Sequence, residues 1–277
     1  MDTTPALSPS PSADAALTLP SRPRLRAEVL IVLGLSLGQS AVYAVVRFIE
    51  RLQAETPVGQ QTTTLNPSYS GIDWLDLTYQ VLRILFALVP VALAIYLLGA
   101  NGPRALKRLK LTRTNEDGTP RSWWRDLALG AGLAALIGIP GLGLYAFGRA
   151  IGQSVRINTN GLPDLWWSAT ILLASAAVAG LVEEVIVVGY LVTRLQDLGW
   201  RVPAIIVASA LLRGTYHLYQ GWPMALGNVV MGVVFVWVYL KTKRLAPLII
   251  AHWLLDAVSF VGPELLPAEW LDALNAV

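Results

Sequence analysis

Apolar runs of roughly 18 to 22 residues recur along this chain, each long enough to cross the hydrocarbon core of a bilayer as a helix. In lipid every backbone N–H and C=O must be satisfied within the segment, which leaves helices and closed barrels as the only spanning structures. The runs do not alternate polar with apolar residues as outer-membrane strands do. The pattern therefore predicts an all-α, polytopic transmembrane bundle. Composition agrees: only 14% of residues are charged and mean hydropathy is +0.54, whereas soluble domains carry about 25% charged residues. The formal charge of +3 sits in short loops between runs and implies no nucleic-acid partner. With no cysteine in the chain, disulfides, thiol nucleophiles and thiolate metal sites are excluded.

The runs place about seven spans at roughly 28–46, 79–98, 126–147, 165–195, 202–219, 224–240 and 246–261, by length and hydropathy. Residues 1–26 are rich in Pro, Ser, Ala and Thr and read as a disordered cytoplasmic tail. Residues 27–164 form three accessory helices with their loops, 165–262 a second helical module, and 263–277 an acidic C-terminal tail. Lys and Arg concentrate in loops on the cytoplasmic side of a membrane protein. Arg22, Arg24 and Arg26, the stretch from Arg104 to Arg125, the turn around Arg194 and Arg201, and Lys241 to Arg244 all fall on one side if seven spans begin with a cytoplasmic N-terminus. A bacterial cytoplasmic membrane is the expected location. Pro90 is expected to kink the second span, and Arg83 to snorkel from near its end.

Within the last module, hydrophilic groups stand where lipid makes them costly. Glu183 and Glu184 interrupt AAVAGLVEEVIVVGYLV, and the two histidines of the protein, His217 and His252, each lie in an apolar run. An ionisable side chain at bilayer depth costs several kcal/mol and marks function by default. Asp256 follows His252 by four residues and Arg213 precedes His217 by four, so each pair shares a helix face. Glu183 and Glu184 are about 100° apart on a helix, which suggests one chemical and one holding role.

A carboxylate beside an imidazole is a base for drawing a proton from water. A second imidazole with a short polar partner can stabilise a developing oxyanion. Asp256 serves there as a donor if protonated, or by orienting His252 if not. Glu184, His217 and His252 are alternatively a zinc set, two His and a carboxylate with water completing the shell, although no HExxH string is present. At about 1.5 Å per residue, Glu184, His217 and His252 lie roughly 16, 22 and 9 Å from the inner ends of their spans. Tilted or broken helices are required to bring them together.

The order of these residues resembles the CAAX prenyl protease and bacteriocin-processing family of intramembrane proteases, the Abi or CPBP family. Its first motif, EExxxR, reads Glu183-Glu184-Val185-Ile186-Val187-Val188 here. Its FxxxH reads Arg213-Gly214-Thr215-Tyr216-His217. Asn228 and Gly232 resemble a third segment, and His252-Trp253-Leu254-Leu255-Asp256 the fourth. The resemblance covers residues 165 to 262. It implies a membrane endopeptidase acting on peptides or membrane-protein segments, in which a first-motif Glu with His217 activates water and His252 with Asp256 forms the oxyanion site. A metal requirement has been described in the family, which keeps Zn2+ as a candidate cofactor. Two departures stand out: Val188 replaces the family Arg, and Arg213 replaces the Phe of the second motif. One reading is that Arg213 supplies from the next span the charge that Val188 lacks. The competing functions are an inactive relative serving as a membrane scaffold or chaperone, and a transporter or proton relay.

Overall fold

The computed structural model describes residues 20–99, 102–114, 118–158 and 161–265. Most of the expected N-terminal tail, and the C-terminal tail beyond residue 265, lie outside the described residues. Helix begins at Arg22, inside the stretch assigned to the tail.

Helices α1 (Arg22–Gly34) and α2 (Leu37–Gln53) form a pair bent by 55° at Leu35 and Ser36. Helices α3 (Asp73–Ala87) and α4 (Val89–Leu98) run on as one 26-residue span. Pro90 sits in the first turn of α4, where its missing N–H is an orphan donor in any case. Helix α5 (Gly102–Arg108) is short. Helix α6 (Trp123–Ala150) carries Pro140 in its interior. Helix α7 (Ser168–Glu183) continues through a π-helical segment, Glu184–Tyr190, into α8 (Leu191–Asp197). Helices α9 (Val202–Tyr216), α10 (Trp222–Thr242) and α11 (Ala246–Leu265) complete the module. Two loops join through a short parallel pair, β1 (Thr62–Thr64) and β2 (Arg156–Asn158).

Each of the seven expected segments is helical. Four are long and apolar enough to cross a membrane, or five with the bent α1–α2 pair counted as one. Helix α9 and the apolar part of α11, 15 and 17 residues long by their bounds, rise about 1.5 Å per residue and so fall short of a hydrocarbon core about 30 Å thick. By length and composition alone, the described helices thus support four to five spans.

The span from Ser168 to Asp197 is the centre of the bundle. Half of its apolar window is buried, against 11% to 44% in the other three spans. Val185 to Val188, Tyr190 and Val192 lie in the main core with Ile205, Phe235, Leu245 and Leu248. Helix α11 packs on α7 and α6, and α10 on α9. Small residues set these approaches, as they do wherever helices must associate in lipid. A Cβ on Gly180 would lie 3.1 Å from the Trp253 nitrogen, and one on Gly232 would lie 2.8 Å from the Ala210 Cα. Large apolar side chains such as Ile139, Trp166 and Val258 point outward.

Candidate active site

The C-terminal end of α7 meets α9 and α11 where the chain places its costly polar groups. Backbone geometry prepares the meeting. Helix α7 widens into the π-helical turn at Glu184, a departure that recurs at functional sites. On α9, Arg213, Tyr216 and His217 occupy one face by their three- and four-residue spacing. Gly214 on the same turn lets α10 approach, since a Cβ there would lie 2.9 Å from the Ala225 carbonyl. Gly221 then reverses the chain at a positive φ of 112°.

Arg213 is the hub. Its guanidinium is fully buried and donates from Nη2 to Glu184 Oε1 at 2.6 Å and from Nη1 to Glu183 Oε2 at 3.3 Å. The two acids, too far apart around a helix to share one point, are both reached by the planar fork. Its carbon lies 5.4 Å from the ring centre of Phe235 on α10. A guanidinium from α9 thus stands beside both acids, while Val188 lies in the apolar core. Arg83 is placed elsewhere, over the ring of Tyr69.

The two glutamates are held differently. Glu184 is fully buried and accepts from Arg213 and, at 2.7 Å, from His252 Nδ1. A carboxylate bonded this way only accepts, so Nδ1 of His252 carries a proton. The 3.4 Å approach of Arg213 Nη1 to the same nitrogen is then a contact between two donors. Glu183 retains 13% side-chain exposure and accepts from the Tyr216 hydroxyl at 2.6 Å. His252 Nε2 lies 3.7 Å from Glu183 Oε2 and 3.6 Å from Asp256 Oδ2. Both distances exceed a direct hydrogen bond. Asp256, with 25% side-chain exposure, is more open than either glutamate or His252.

His217 donates from Nδ1 to the Arg213 carbonyl at 3.1 Å, which leaves the lone pair on Nε2. Its ring centre lies 4.8 Å from that of Tyr216. Glu183, Glu184, His252 and Asp256 thus form one neighbourhood with Arg213, and His217 is tied to it through the Arg213 backbone. Asn228 stands apart: its amide donates to the Met224 carbonyl one turn back on α10. Tyr216 is the residue that the sequence did not single out. Its signal was available, because it lies three residues after Arg213 on the same face.

Among the described residues, no group of three His, Asp or Glu side chains is placed to hold a metal ion. The proposed zinc set of Glu184, His217 and His252 fits poorly for a chemical reason. Glu184 Oε1 already bonds a guanidinium and an imidazole N–H, and only its buried Oε2 has no hydrogen-bond partner.

Fold and site together define an all-helical membrane protein with a buried carboxylate, imidazole and guanidinium cluster built on its C-terminal helices. Residues 165–258 of that module match the family model described as "Rce1-like: Type II CAAX prenyl endopeptidase Rce1-like". The match bears out the resemblance to the CAAX protease family and covers about a third of the chain, all of it in the site-bearing part. The Rce1-like family is one of membrane proteases. Neither the curated proteins nor the solved structures contain a match to the chain.

Proposed function

We propose that this protein is an intramembrane endopeptidase that hydrolyses peptide bonds with activated water. The observation carrying this reading is the division of labour between the glutamates. Glu184 is committed to Arg213 and to His252 Nδ1, whereas Glu183 keeps some solvent exposure and lies 3.7 Å from His252 Nε2. Glu183 and His217 take the proton of a water molecule, and the resulting hydroxide adds to the substrate carbonyl carbon. His252, held by the surrounding carboxylates as an imidazolium with Nδ1–H on Glu184, offers Nε2–H to the oxyanion, and Asp256 Oδ2 lies 3.6 Å from the same nitrogen. The proton held at Glu183 or His217 then passes to the leaving amide nitrogen as the C–N bond breaks. Such preorganised donors act in low dielectric, where they stabilise charge more than in water.

The reading needs no metal, because Arg213 supplies the cation beside Glu184 and polarisation falls to His252. The substrate is a peptide or membrane-protein segment, and nothing in the site selects a prenyl group. The basic loops support seven membrane crossings with the N-terminus in the cytoplasm of a bacterial cell, α9 and α11 being short spans.

The test uses the purified full chain in lipid nanodiscs with a fluorogenic reporter peptide. Cleavage lost in Glu183→Ala and His217→Ala, with melting temperatures kept near that of the parent, supports the reading. Cleavage at the parent rate in either variant refutes it. Proton flux in liposomes with no peptidase activity would point to a relay instead.

A further inference from the structure

A widened turn is a rare departure from regular coil, and the one from Glu184 to Tyr190 begins at the glutamates themselves. Its backbone is fastened from another helix. Ser209 of α9 is fully buried and donates its hydroxyl to the Val187 carbonyl at 3.0 Å.

That bond departs from the habit of such residues. A serine or threonine inside a helix can return its hydroxyl to the carbonyl four residues back. Thr78, Thr193, Thr215 and Thr242 all do so in this protein. Ser209 has the same option at Ile205 and crosses to the neighbouring helix instead.

The spacing joins Ser209 to the polar cluster. Ser209, Arg213 and Tyr216 follow one another at four and three residues and share one face of α9. From that face Arg213 donates to both glutamates and Tyr216 to Glu183. Helix α9 therefore grips one stretch of chain twice, by its carboxylates and by its backbone. Glu184 has to meet Arg213 Nη2 and His252 Nδ1 together, at 2.6 and 2.7 Å. If the widened turn moved past Glu184, that residue would swing by about 100° and lose both partners. We propose that Ser209 is a positioning residue: its bond to the Val187 carbonyl pins the widened turn directly after the glutamates and keeps Glu184 aimed at Arg213 and His252. On the endopeptidase reading, on which this consequence rests, cleavage slows when the pin is lost.

Two variants of equal shape carry the test: Ser209→Thr keeps the hydroxyl and Ser209→Val does not. Crowding at this buried position falls on both alike. The full chain in lipid bilayers is isotope-labelled at the nitrogens of its two histidines, with a His217→Gln control to assign the signals. Solid-state NMR then reads the His252 Nδ1–H that Glu184 holds, without any substrate. That signal should stay at the parent position in Ser209→Thr and move in Ser209→Val. In the reporter-peptide assay kcat should be about tenfold lower in Ser209→Val than in Ser209→Thr, as for one lost buried hydrogen bond, with KM nearly unchanged and the pH profile displaced. The same His252 signal in both variants overturns the proposal. So does an equal kcat with one shared pH profile. A parent chain that cleaves no peptide refutes the endopeptidase reading alone, and the histidine signal then decides the role of Ser209.

Discussion

Replacing Arg213 with leucine tests how the site is held together. The guanidinium is fully buried, bonds both glutamates and lies over Phe235. Leucine keeps the contact with Phe235 and removes the charge. Breaking a buried ion pair from one side costs about 3–5 kcal/mol, because the remaining charge is left unpaired in low dielectric. Here two carboxylates lose the same partner, so the upper part of that range applies. For a chain of this length each kcal/mol corresponds to roughly 2–4 °C, and the melting temperature of Arg213→Leu should fall by roughly 10 °C or more. Peptidase activity should disappear, since Glu184 no longer has the support that lets it steer His252. Restoring an arginine at the family position, in the Arg213→Leu and Val188→Arg double variant, should recover part of the stability. Val188 is fully buried, so overpacking of about 1–3 kcal/mol limits the recovery. Thermal unfolding in detergent, read beside cleavage of the reporter peptide, decides the matter. An Arg213→Leu protein that melts within about 2 °C of the parent and still cleaves would refute the account of the cluster.

Three further outcomes are expected. Tyr216→Phe removes a 2.6 Å bond to Glu183; bonds to charged groups contribute about 1.5–3 kcal/mol, so peptidase turnover should fall about tenfold or more with its pH profile displaced, while a purely structural tyrosine would leave the profile in place. Gly232→Ala sets a methyl group 2.8 Å from the Ala210 backbone and should cost about 1–3 kcal/mol by spreading α9 from α10, measured as a lower melting temperature with partial loss of activity. Incubation with a zinc chelator should leave cleavage unchanged, and activity lost to the chelator and restored by Zn2+ would overturn the metal-free reading.

The polar residues of this site were legible because lipid makes them expensive: Glu183, Glu184, His217, His252 and Asp256 each interrupt an apolar run, and the structure brings four of them together, with His217 attached through the Arg213 carbonyl. Their pairing was not legible. Periodicity places His252 and Asp256 on one face, but it does not say that His252 turns Nδ1 toward Glu184 and leaves Asp256 3.6 Å away. That choice depends on how closely α11 approaches α7 at Gly180, a tertiary distance. Asn228 shows the opposite error, since a polar residue in an apolar helix can spend its bond on its own backbone. The helices themselves were visible in hydropathy. The break at Leu35 and Ser36 and the short reach of α9 were not, because local bends and burial behind neighbours leave no mark on an apolar average.

The widened turn from Glu184 to Tyr190 stores one spare residue beside the polar cluster. A π-helical stretch holds one residue more than the regular coil would need over the same rise. Excising Val187 would let the backbone rewind into ordinary coil over that rise, and Arg194 would stay in register with Glu28 at 2.8 Å and Asp197 at 3.2 Å. The same cut in the regular coil of α7 would swing every group past it by about a third of a turn and unfasten α1 from the middle of the bundle.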